Sequence, residues 1–221
     1  MDTENLNAMQ TAWTQLLTYF RVPSASIRPA FEFLREAYGS PDRHYHNLDH
    51  LDEMFRIAGQ LMAITDDSRA VQLAIWFHDA VYDPRARDNE TRSAELAVML
   101  LGPIGVPRSE LDRVTRLILA TGYCAEPQPP PDRETAILLD ADLAIFGAPE
   151  ERYDQYAATI REEYEWVPEA DYREVRSRIL EQILARPRIY WIDSMHKECT
   201  TAAQENIRRE LAQLRRESPS P

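Results

Sequence analysis

Three short stretches hold the residue types for metal chemistry: His44-Tyr45-His46-Asn47-Leu48-Asp49-His50, then Trp76-Phe77-His78-Asp79, then Asp140-Ala141-Asp142. Four of the five histidines of the chain fall in the first two. His46 and His50 are four residues apart, which on a helix puts them on one face. His78 is followed directly by an aspartate at the end of a run of apolar residues, where an unpartnered charge costs several kcal/mol. Asp140 and Asp142 sit in equally apolar surroundings and also need partners.

Imidazole nitrogen and carboxylate oxygen together suit divalent ions of intermediate hardness, or magnesium where carboxylates and water dominate. These residue types do not distinguish Mn, Mg, Zn, Fe, Co and Ni. A histidine on one helix, a His-Asp pair ending a second and an aspartate on a third converge only in a helical bundle. Such a set leaves coordination positions for water, as in catalytic sites, where the ion lowers the pKa of that water and holds phosphoryl oxygens. His46, one turn before His50, would stand just behind the ligands, where it could protonate a leaving group. Any one of these residues alone reads more readily as a cap or a surface residue. The combined pattern is what points to a site.

The positioning elements follow from periodicity. Apolar residues at helical spacing predict helices over 6–20, 27–38, 48–62, 90–101 and onward from Pro107, with 149–164, 168–185 and 197–216 amphipathic. The 68–81 stretch is nearly apolar all round and is expected to be a buried helix broken by Pro84. Asn89 is expected to cap the helix that starts at Glu90. A single helix is expected over 134–146, and the proline-rich 125–133 stretch cannot be helical. With 6 glycines and few alternating β-branched runs, no sizeable sheet is expected. The expectation is an all-α bundle in a single domain over 1–217, with the metal-site core at about 44–146, C-terminal helices at about 149–216 and a 218–221 tail.

Against 25 basic residues stand 37 acidic ones, a net charge of −12, which argues against binding a nucleic-acid polymer. The N-terminus lacks an apolar leader core, and no run approaches the roughly 18 apolar residues of a membrane span. Two cysteines make no disulfide framework. A cytoplasmic protein without a membrane partner is therefore expected. The apolar faces of the last helices suit the core or a homodimer.

The pattern resembles the HD superfamily of metal-dependent phosphohydrolases, named for the adjacent His-Asp pair. By that resemblance His50, His78, Asp79 and Asp142 are the metal ligands. Tyr45-His46-Asn47 through His50 is similar to the Tyr-His-Asn-x-x-His stretch of cyclic-nucleotide phosphodiesterases, in which the first histidine is the proton donor and the second a ligand. Ala141-Asp142-Leu143 is similar to the sequence around their distal ligand, favouring Asp142 over Asp140. His78 to Asp83 also resembles the HDxxED motif of alarmone hydrolases; Tyr82 replaces its glutamate, so only Asp83 carries over as an assisting residue. The motifs YHNxxH, FHDxVYD, NExxSA and LDADLxIxG are shared with a bacterial group of HD phosphohydrolases known mainly by prediction. Relatives tend to carry a histidine shortly after the threonine of Ala120-Thr121-Gly122-Tyr123-Cys124. Its absence favours a mononuclear site, with Cys124 either a structural residue or a replacement ligand.

Softer candidates remain. Arg85 and Arg87 could pair with a substrate phosphate or belong to a solvated loop. Glu90 could touch substrate, a ligand water or the metal, or serve ordinary helix-start electrostatics. Arg173, Arg176, Arg186 and Tyr190 either close the cleft from the C-terminal helices or make internal pairs. The resemblance implies a small phosphorylated substrate of nucleotide type, hydrolysed with His46 as proton donor. The alternatives are a non-catalytic nucleotide sensor that keeps the metal, and a helical protein whose polar residues satisfy one another.

Overall fold

A computed structural model describes residues 3–62, 67–122 and 131–216. The Cys124 position and most of the proline-rich stretch lie outside the described residues. The element order is α1 (Thr3–Tyr19), α2 (Ser24–Tyr38), α3 (Leu48–Met62), α4 (Arg69–Phe77), α5 (Asn89–Leu101), α6 (Arg108–Ala120) and α7 (Arg133–Asp142). A 3₁₀ turn (Leu143–Gly147) follows, then α8 (Glu150–Glu163), α9 (Glu169–Ala185) and α10 (Asp193–Arg216). The described residues are all-helical, with no strand among them. No described helix is long and apolar enough to cross a membrane.

The bundle is built around α4. Seven of its nine residues are buried, as its apolar surface on every side demands. Trp76 lies edge-on to Trp13 of α1 and Phe31 of α2 (ring centroids 5.3 and 5.8 Å) and beside Phe55 of α3 (5.2 Å). Fully burying an aromatic or aliphatic side chain of this size stabilises by roughly 1.5–3 kcal/mol. α3 packs on α7, and α4 on α6 and α7, so the elements carrying His50, His78 and Asp142 are mutual neighbours.

The buried helix is shorter than the 68–81 expected. Its α-helical span stops at Phe77, because His78 Nδ1–H donates to the carbonyl of Ile75 at 2.9 Å. That carbonyl would otherwise accept the Asp79 N–H four residues on. The Asp79 N–H goes instead to the Tyr38 hydroxyl (3.3 Å), which itself donates to Trp76 O (3.2 Å). The expected 134–146 helix is likewise divided, with α7 ending at Asp142 and the tighter turn following. Asn89 is inside α5 and does not cap it. Its side-chain amide clasps the backbone of Asp83 at both N–H (3.0 Å) and C=O (2.9 Å).

The C-terminal helices are joined by a buried charge pair. Arg176 of α9 donates to both carboxylate oxygens of Glu210 of α10 (2.7 and 3.1 Å), and the Tyr153 hydroxyl of α8 donates to the second at 2.5 Å. Arg173 pairs with Glu169, and the Tyr190 hydroxyl donates to Leu143 O. Arg173, Arg176 and Tyr190 thus each have a partner within the chain. Met195, Ala203, Ile207 and Leu211 of α10 are buried within the chain, while Val175 and Ile179 of α9 are exposed. Arg176→Met would strand the Glu210 carboxylate in the core, an expected loss of about 3–5 kcal/mol. Urea denaturation checks this, and the double variant Arg176→Met/Glu210→Leu should recover most of the loss.

Candidate metal centre

His50 projects from the first turn of α3, His78 from the residue after α4, and Asp142 from the last residue of α7. All three are buried, with 3, 1 and 8 % of their surface exposed. One ligand atom from each lies within 4.8 Å of the others. His50 Nε2 is 3.4 Å from Asp142 Oδ1, and His78 Nε2 is 4.0 Å from the same oxygen. Two ligand atoms held about 2.1 Å from one ion lie roughly 3 Å apart at a right angle and about 3.4 Å apart at a tetrahedral angle. The His50–Asp142 spacing is that of two atoms on one ion, and the His78–Asp142 spacing is wider.

The nitrogens themselves argue the same way. Nε2 of both His50 and His78 is buried and makes no hydrogen bond among the described residues. Burying a polar atom without a partner costs about 1–3 kcal/mol, so two such atoms facing one carboxylate call for a common acceptor of their lone pairs. A carbonyl can only accept, so the Ile75 bond fixes the Nδ1–H of His78 and leaves Nε2 to bind. The residues present fit a divalent ion.

Asp79 stands beside this trio without being part of it. Its Oδ2 lies 3.1 Å from His78 Nε2, outside hydrogen-bond geometry. Burial opposes charge on both partners, but the Asp79 carboxylate, with Asp142, raises the His78 pKa to about 9. His78, His46 and His50 in turn hold the Asp79 carboxyl far below the usual carboxylate range despite its burial. Asp140 faces away. Its two oxygens accept the backbone N–H groups of Trp191 and Ile192, each at 2.7 Å, tying α7 to the start of α10. Burial nonetheless pushes its carboxyl up to about 7.

His46 enters from the loop before α3 and is held by Glu163, the last residue of α8. The Glu163 carboxylate accepts the N–H of Tyr45 (2.7 Å), the N–H of His46 (2.9 Å), His46 Nδ1 (2.6 Å) and the Tyr82 hydroxyl (3.0 Å). Burial would raise the Glu163 carboxyl, but the hydrogen bonds from His46 and Tyr45 bring it down to about 2. Burial likewise opposes charge on His46, yet Glu163, Asp79 and Asp142 raise its pKa above the ordinary value. With Nδ1 on Glu163, Nε2 is the ring nitrogen left for a substrate. The ring stacks on Tyr82 (4.3 Å, 28°), and its centroid is 6.0 Å from that of His50.

Glu163 was not evident as a site residue from motifs. One signal does distinguish it from its acidic neighbours: Tyr153, Tyr156, Ile160 and Glu163 share the buried face of α8. A carboxylate on that face, at a helix C-terminus where the dipole disfavours it, needs strong donors. Tyr82 supplies one of them.

The remaining candidates lie around this centre. Asp83 is exposed, and its Oδ1 accepts the Arg85 N–H (2.9 Å), which makes it a turn former. The Arg85 guanidinium lies over the half-exposed Trp166 ring at 4.7 Å. It has no carboxylate partner among the described residues. Glu90 is in the first turn of α5, with its carboxyl carbon 3.8 Å from where a Cβ of Gly122 would be. His44 is exposed and pairs with Glu162 (3.3 Å), and His196 meets Thr200 (3.1 Å).

Neither a protein-family model, a curated protein nor a solved structure matches the chain.

Proposed function

We propose that this chain is a metal-dependent phosphohydrolase acting on a small phosphoester, with His46 as proton donor. The observation that carries the reading is the buried trio His50, His78 and Asp142, with two imidazole nitrogens that make no hydrogen bond among the described residues. A divalent ion held by these residues, with Asp79 alongside, supplies Lewis acidity toward a phosphoryl oxygen and toward water. The chain's own part is proton management. Glu163 keeps the His46 proton at Nδ1 in place and favours the imidazolium, so that Nε2–H can be given to a departing alkoxide. A module that only binds a nucleotide has no need of such a histidine–carboxylate pair, which favours catalysis over a sensor role. Arg85, presented on Trp166 without a carboxylate partner among the described residues, suits a substrate's anionic group.

The resemblance to HD phosphohydrolases agrees with this reading and favours nucleotides among phosphoesters. The test strips the protein with chelator, restores Mn²⁺, Co²⁺, Ni²⁺, Zn²⁺, Fe²⁺ or Mg²⁺ singly, and screens phosphomonoesters, phosphodiesters and nucleotides for hydrolysis. Ion-dependent turnover is expected. No turnover with any ion, together with a melting temperature indifferent to chelation, would overturn the proposal.

A further inference from the structure

Arg43, in the loop between α2 and α3, spends its guanidinium on backbone carbonyls. Nη1 donates to His46 O (3.2 Å) and to Asp79 O (2.6 Å), and Nη2 donates to Ala80 O (3.1 Å). Its central carbon lies 4.9 Å from the ring centroid of Tyr38 and 5.4 Å from that of Tyr82. In a chain with 37 acidic residues against 25 basic ones, this half-buried cation has no carboxylate partner among the described residues. A planar fork of donors can bridge two chain segments in a fixed geometry, which a point charge on a flexible stem cannot.

Each end of that bridge is pinned a second time. His46 is gripped at its N–H by Glu163 and at its C=O by Arg43. Asp79 is gripped at its N–H by the Tyr38 hydroxyl and at its C=O by Arg43. The carbonyls at the C-terminal end of α4 also lie at the negative pole of the helix, which favours a cation there. We infer that Arg43 is a positioning residue that fixes the separation between the proton donor His46 and the His78-Asp79 turn of the metal centre. The inference rests on the hydrolase reading for its consequence, and on the three carbonyl contacts for its geometry.

The test is Arg43→Lys, which keeps the positive charge between the two tyrosines and loses the fork. In the metal-loaded protein, kcat on a phosphoester with an alkyl leaving group is expected to fall about 10- to 100-fold, the scale of a displacement near 1 Å. An aryl ester with a good leaving group should fall no more than about threefold, and KM should stay within about twofold. An equal loss on both esters, or a rise in KM alone, would overturn the positioning role. A second readout needs no turnover: histidine side-chain ¹⁵N spectra of the chelated protein. Arg43→Lys should move the His46 and His78 signals together and leave His196 in place. Unmoved signals, or movement of His46 alone, would overturn the inference even if hydrolysis is confirmed. If the wild-type protein hydrolyses nothing while both signals move, the hydrolase reading fails and the Arg43 bridge stands.

Discussion

Asp142→Asn is expected to abolish metal-dependent behaviour while leaving the bundle folded. The aspartate ends α7 and its Oδ1 faces both unpartnered histidine nitrogens, so its charge is the part of the trio that an ion needs most. Losing an outer-shell partner alone typically costs 10–100-fold in metal affinity, so loss of a carboxylate ligand should exceed about 100-fold. Metal catalysis is worth several kcal/mol of barrier, so turnover should drop by roughly a thousandfold or more. In the wild type, an ion at a thousand times its Kd adds about 4 kcal/mol of stability, an upward shift of about 10 °C for a chain of this size. Asp142→Asn should lose that shift. Because the metal-free His78 pKa is raised to about 9, an ion loaded at neutral pH must displace a proton from it. Calorimetric titration in buffers of different ionisation enthalpy should show that release, and affinity should fall as pH is lowered.

Glu163→Gln is expected to separate proton donation from metal binding. The substitution keeps the size of the side chain but places an NH₂ among donors that now converge on a carboxylate. An NH₂ facing His46 Nδ1 selects the other tautomer and withdraws support from the imidazolium. General acid catalysis contributes about 10²–10⁴-fold, and kcat on esters with poor leaving groups should fall by that amount, with metal affinity retained. The pH dependence has a definite sign. The acid works when His46 is protonated, so activity is present below its pKa and lost above it. Glu163, Asp79 and Asp142 raise that pKa against the effect of burial. Removing the Glu163 charge should move the alkaline limb of the kcat profile to lower pH. An unmoved limb would show that His46 is not the titrating acid.

The centre was legible in the sequence to the extent that its residues break an apolar pattern. His78 at the end of an all-apolar helix and Asp142 inside another such stretch are polar groups that must be paired, and His50 lies one turn from a second histidine. The structure brings those three together and turns Asp140, equally conspicuous in sequence, toward the start of α10. Glu163 and Arg43 were not legible because they act on backbone groups and on a histidine far away in the chain. Their acidic and basic neighbours look the same until the partners are known. The end of α4 was missed for a related reason: hydropathy continues through Ala80 and Val81, but the His78 side chain takes the carbonyl that would have continued the helix. Asn89 reads in sequence as a helix cap and instead clasps the backbone of Asp83, whose side chain in turn accepts the Arg85 N–H.

The most direct test of the metal centre is anomalous diffraction from crystals soaked in Mn²⁺, with data collected on both sides of the manganese edge. The predicted result is an anomalous peak within bonding distance of His50 Nε2, His78 Nε2 and an oxygen of Asp142, absent in Asp142→Asn. A fully occupied peak elsewhere, or none between those three side chains at saturating ion, would contradict it.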